Sequence, residues 1–166
     1  MNDLIAKLEA ATEGTRELDA EIGLAIREWK VSGRAIGVRQ LDGTYRWVAF
    51  HQTEEYDHAD AIRVIADCLS LRPYTRSIDM ALATLVPDTT DLQIGRIWCV
   101  KRWARITDGD KEWYGESCTE ALALCIAALR SCVGQALGET ALLQPGQIAG
   151  ETLADVNAPK RICREL

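Results

Sequence analysis

The chain has little from which familiar active sites are built. It carries only two histidines, His51 and His58. It has no Gly-rich phosphate loop and no Gly-x-Ser-x-Gly elbow, so phosphoryl transfer and serine-nucleophile chemistry find no anchor. None of its six cysteines falls in the short Cys-x-x-Cys spacing, nor its histidines in the His-x-x-x-His spacing, that hold zinc. Neither a metal nor a cofactor is expected, and a catalytic role is disfavoured. Cationic excess is missing too. Lys and Arg number 19 against 25 Asp and Glu, for a formal net charge of -6. A generic nucleic-acid coat needs the opposite balance for counterion release, although a local basic patch stays open. The acidic balance suits solubility or a basic protein partner.

Long apolar runs are also absent. No stretch approaches the roughly 20 residues of a membrane span, and Met1 leads into "NDLIAKLEAA" without the basic and apolar regions of a leader. A cytoplasmic chain with reduced thiols and no membrane partner is expected. Cys118, Cys125 and Cys132 recur at heptad spacing on one expected helix, about 10 Å apart at 1.5 Å per residue. That exceeds the reach of a disulfide, so they read as small buried hydrophobes.

What is present is periodicity. Asn2 or Asp3 can cap a helix with Leu4, Ile5, Leu8 and Ala11 on one face. Thr15 opens a second, whose stripe of Leu18, Ile22, Ile26 and Trp29 runs on until Gly33. "AIGVRQ" and "TYRWVAF" flank Asp42-Gly43, which predicts a type I′ hairpin. A helix with Ile62, Ile65, Ala66 and Leu69 inward follows; Pro73 breaks the pattern, and Thr75 or Ser77 caps a short helix through Val86. Leu92 to Ile106 reads as one long strand, bent at Gly95 or at Lys101-Arg102. Asp108-Gly109 turns it back through "KEWYGE", and Thr119 caps a last helix that is apolar nearly all round.

Two hairpin-then-helix units thus follow one another, with Trp47 and Trp113 separated by the same interval as the two Asp-Gly pairs. Duplication and convergence on common turn chemistry both account for this. Either predicts an α+β fold, mainly an antiparallel sheet built from two hairpins and sandwiched by helices in an α-β-α arrangement. Residues 1–135 form the expected domain, and 136–166, broken by Pro145, Gly146, Gly150 and Pro159, an irregular C-terminal extension.

Four blocks, "DLIAKLEAAT" (3–12), "ELD" (17–19), "YTRSIDMALATLVP" (74–87) and "TEALALCIAALR" (119–130), resemble uncharacterised phage and prophage proteins grouped as the phage ABA sandwich domain. The resemblance covers a third to a half of the chain. It implies a helix–sheet–helix sandwich working in a bacterial host cell, and it brings no activity and no catalytic residues. Residues 30–72 depart from the family's short form as an insertion, and the C-terminal extension departs from it as well.

The richest candidate for function is "GRIWCVKRWARI", residues 95–106. On an ideal strand Lys101, Trp103 and Arg105 share one face, with Arg102 on the other and Trp98 turned to the core. Cation and aromatic together can anchor a protein partner or stack a base beside a phosphate; the bland alternative is long Lys and Arg stems covering apolar surface. His51 and His58 beside Glu54, Glu55, Asp57 and Asp60 resemble a metal or acid–base cluster, yet acids here also suit a helix start. Two readings follow. One is a non-catalytic phage accessory protein that binds a host or phage protein, including a component of a host defence system. The other is a nucleic-acid-binding protein using the basic strand.

Overall fold

The computed structural model describes residues 1–51, 53–88, 90–97 and 101–137. Five helices, α1 (Asn2–Ala10), α2 (Arg16–Ala25), α3 (His58–Asp67), α4 (Ile78–Leu85) and α5 (Glu120–Leu137), accompany six strands: β1 (Trp29–Ser32), β2 (Ala35–Arg39), β3 (Tyr45–Phe50), β4 (Asp91–Ile97), β5 (Lys101–Asp108) and β6 (Lys111–Ser117). The fold is α+β and its strands pair antiparallel. They form two three-stranded sheets, ordered β1-β2-β3 and β4-β5-β6, and each expected hairpin lies within one of them. A helix, a three-strand meander and a helix therefore occur twice in succession.

Both additional strands come from segments with a different sequence expectation. The expected second helix stops four residues before Trp29. Arg27 N–H bonds to Leu24 C=O (3.1 Å) and Glu28 N–H to Gly23 C=O (2.9 Å), the paired closure of a Schellman motif. Arg27 takes the left-handed position with φ 61°, and Trp29 begins β1. Its ring folds back over α2 at Gly23, where a Cβ would lie 2.7 Å from Trp29 Cδ1. Gly33 (φ 55°) turns β1 into β2 rather than ending a helix. The expected long strand is likewise a hairpin: Ile97 pairs with Lys101, so the chain reverses between β4 and β5. Trp98 lies outside the described residues, and no parity argument crosses that reversal.

The Asp-Gly turns are not type I′. Asp42 is not in the left-handed region; Gly43 is, with φ 82°. Gly43 N–H closes on Gln40 C=O (3.0 Å) and Gln40 N–H on Thr44 C=O (2.8 Å), giving a three-residue loop with glycine in its last place. Asp42 Oδ1 accepts from Thr44 N–H (2.9 Å), and Thr44's hydroxyl and backbone hold its carboxyl below the usual range. In the second hairpin Asp108 pairs with Lys111, leaving Gly109 (φ 60°) first in a two-residue loop, the II′ pattern. The two tryptophans then face opposite ways: Trp113 is buried under α5, whereas Trp47 is exposed on the face of β3 turned away from α3. Their matched spacing does not mark equivalent positions.

The larger core gathers α1, α4 and α5 over one face of the β4-β5-β6 sheet, with Leu8, Ile22, Tyr74, Ile106, Trp113 and Ile126 at its centre. Gly115 lets α5 lie directly on β6, since a Cβ there would stand 2.1 Å from Ala123 O. Thr119 caps α5 by accepting from Leu122 N–H (3.2 Å). Leu129 is wholly buried in this core. Leu129→Ala is expected to cost about 2–5 kcal/mol, read from urea unfolding; a change near zero would place α5 at the periphery. Cys125 shares this burial, but Cys118 precedes the helix and, like Cys132, is exposed, so the heptad of thiols is not one buried stripe.

A smaller core joins the β1-β2-β3 sheet to α2 and α3 through Ala20, Trp29, Ile36, Val38 and Ile65. Leu69, expected inward, falls beyond α3 and is exposed. The segment 30–72 holds most of this sheet together with α3. α2 serves both cores, and Asp19 fixes its position. The carboxylate is 0% exposed and accepts from Thr75 N–H (2.7 Å), Thr75 Oγ1 (2.8 Å) and Arg76 Nε (3.2 Å) and Nη2 (3.1 Å). This network ties "ELD" to "YTRS".

Candidate binding face of the second sheet

Alternation along β5 divides the basic strand between two environments. Ala104 and Ile106 face α5 and are buried. Lys101, Trp103 and Arg105 project from the other face, as ideal strand geometry predicts. Across the ladder they meet Ile97, Gly95 and Gln93 of β4, and Glu116 and Tyr114 of β6. Trp103, half-buried, lies over Gly95, where a Cβ would stand 2.6 Å from the ring's Cε2. It stacks on Tyr114 with centroids 6.0 Å apart and planes 22° from parallel. Glycine on one side and tyrosine on the other thus make a bed for the indole.

Charged groups surround that stack, and they are paired. Lys101 Nζ is 3.3 Å from Glu116 Oε1. Arg105 donates to Gln93 Oε1 (2.6 Å) and lies 3.6 Å from Glu112. Arg102 is not part of this face: it points toward the helices, where Glu120 at the start of α5 pairs with it (3.5 Å) and with Arg96 (3.6 Å). Of the four residues singled out by sequence, three share a surface and Arg102 joins a helix–sheet bridge. Tyr114, Glu112 and Glu116 complete the face and were missed. Their signal was present in "KEWYGE", whose alternate residues 112, 114 and 116 are acid, aromatic, acid.

Burial, with a smaller contribution from Glu116's charge, pushes the Tyr114 phenol from 10.0 up to about 12. A raised folded-state value gives a contribution to stability that is complete below the unfolded value, near pH 10, and is lost as pH rises through about 12. Wild type is therefore expected to lose stability relative to Tyr114→Phe over that window. Parallel stability curves for the two proteins would show that the phenol is not held in this environment.

The histidine–acid cluster is divided among local tasks. Asp57 caps α3 by accepting from Asp60 N–H (2.7 Å), and Asp60 pairs with Arg63. His51 Nδ1 accepts from Glu54 N–H (3.2 Å), and its ring meets Tyr56 edge-on. Among the described residues no group of three His, Cys, Asp or Glu side chains is placed to hold a metal ion, and no helix is long and apolar enough to cross a membrane. Two clefts lie on the first sheet. One of about 220 Å³ sits between the first sheet and α3, lined by Trp29, Ile36 and Ile65 among others. A shallower one of about 570 Å³ sits where α2 meets β1 and β3. No protein-family model, curated protein or solved structure matches the chain.

Proposed function

We propose that this chain is a non-catalytic protein-binding module whose contact surface is the outer face of the β4-β5-β6 sheet. The observation that carries the reading is the Trp103–Tyr114 stack, half open to solvent and ringed by internally paired charges. A central aromatic with a polar rim is the arrangement in which a few residues dominate binding energy. The paired rim also weighs against the basic strand as a nucleic-acid site. Phosphates would have to displace Glu112, Glu116 and Glu120 from the four cations, and counterion release favours free cations. A phage accessory role, with a host protein such as a defence component as partner, is supported by the resemblance of the four sequence blocks. The test is affinity capture from nuclease-treated bacterial lysate, with wild type and Trp103→Ala as baits. A protein retained by wild type and lost with the variant is expected; identical retention by the two baits would refute the reading.

A further inference from the structure

The outer face of the first sheet carries aromatics of a different kind. Register places Tyr45 opposite Arg39, Trp47 opposite Gly37 and Phe50 opposite Ala35, so all three aromatic side chains of β3 rise on the face turned away from α3. A bulge at Val48 of β3, opposite the step from Ile36 to Gly37, keeps them on that side. Lys30 stands across from Gly37 on β1. Trp47 lies over Gly37, where a Cβ would be 2.9 Å from the ring's Cε3. Trp47 is 40% exposed and Phe50 67%. The Lys30 ammonium is 5.5 Å from the Tyr45 ring centroid, and the Tyr45 hydroxyl donates to Arg27 C=O (2.7 Å). That bond anchors the ring beside the 570 Å³ cleft, whose walls include Arg27, Lys30 and His58 and no acid.

Charge identifies the occupant. Among the described residues, Arg27, Lys30 and Arg39 form no ion pair, in contrast to all four cations of the basic strand. Of the carboxylates beside it, Glu28 is paired with Arg72 at 3.1 Å, while Asp42 is hydrogen-bonded by Thr44 in the β2–β3 loop. On an acidic chain this is a local cationic surface interleaved with exposed rings. We propose that this face binds single-stranded nucleic acid, with bases stacking on Trp47 and Phe50 and phosphates meeting Arg27, Lys30 and Arg39. Stacking needs the open π-face of a base, which an intact duplex does not offer. The proposal is independent of the partner-binding face, which lies on the other sheet.

The test is fluorescence anisotropy of the full chain with labelled oligothymidylate and oligouridylate, a duplex of matching length, and phosphatidylserine vesicles. Binding to at least one single strand is expected, in preference to the duplex, and the better of the two tells DNA from RNA. Three phosphate contacts predict a loss of about 20-fold in affinity between roughly 50 and 200 mM salt. Trp47→Ala and Phe50→Ala should each weaken binding about 5- to 100-fold, with Trp103→Ala unchanged. Phe50, the more exposed of the two, keeps the test valid if Trp47→Ala fails to fold. No binding at low salt, equal binding to duplex, indifference to Phe50→Ala, or binding to vesicles alone would overturn the proposal.

Discussion

Trp113→Ala is expected to lower the free energy of unfolding by about 3–5 kcal/mol, among the largest effects of any single substitution in this chain. Trp113 is 1% exposed, and α5 presses on its strand closely enough that Gly115, two residues on, tolerates no Cβ. Truncation therefore opens a void that a backbone already in contact cannot close. Chemical denaturation followed by circular dichroism measures it. A loss below about 1 kcal/mol, the range of surface substitutions, would mean that α5 does not seat on β6 as described.

Asp19→Ala is expected to cost about 3 kcal/mol, through a different route. Its carboxylate is the acceptor for the buried Thr75 N–H and, in part, for the Arg76 guanidinium. Removing it leaves the amide without a partner at the junction of the two cores, a penalty of roughly 1–3 kcal/mol. Loss of the charge pair adds to this, although Arg76 is open enough to recover some hydration. Asp19→Asn, which keeps an oxygen in place for Thr75, should recover most of the loss. If alanine and asparagine prove equally harmless, Asp19 does not lock α2 to the Thr75 loop.

How far such features could be read from sequence depends on the range of the interaction that determines them. Local chemistry was legible. Thr15, Asp57, Ser77 and Thr119 each make a side-chain cap, and the faces of β5 follow strict alternation. α1 is the exception, since it begins at Asn2 with Met1 at the cap position, so neither Asn2 nor Asp3 caps it. Features set by distant contacts were not. Nothing local distinguishes Trp29 as the next residue of an apolar helical stripe from Trp29 as the first residue of a strand; the choice rests on Arg27 accepting a left-handed conformation and on the space above Gly23. The reversal between Ile97 and Lys101 was hidden because apolar and basic residues continue through it without turn chemistry. The candidate face was half visible. Its cations could be found by composition, but their neutralisation by Glu112 and Glu116 depends on β6 register, which no spacing rule supplies.

That neutralised, aromatic-centred face is what most needs measurement. Binding of the captured partner by calorimetry, for wild type and Trp103→Ala, should be set beside the unfolding free energies of the same two proteins. Because Trp103 lies outside the helix-covered core, its truncation is predicted to leave unfolding within about 1 kcal/mol of wild type and to weaken binding by at least about 2 kcal/mol, roughly 30-fold. Unchanged affinity with an intact fold would contradict the account, as would a loss of binding no greater than the loss of stability.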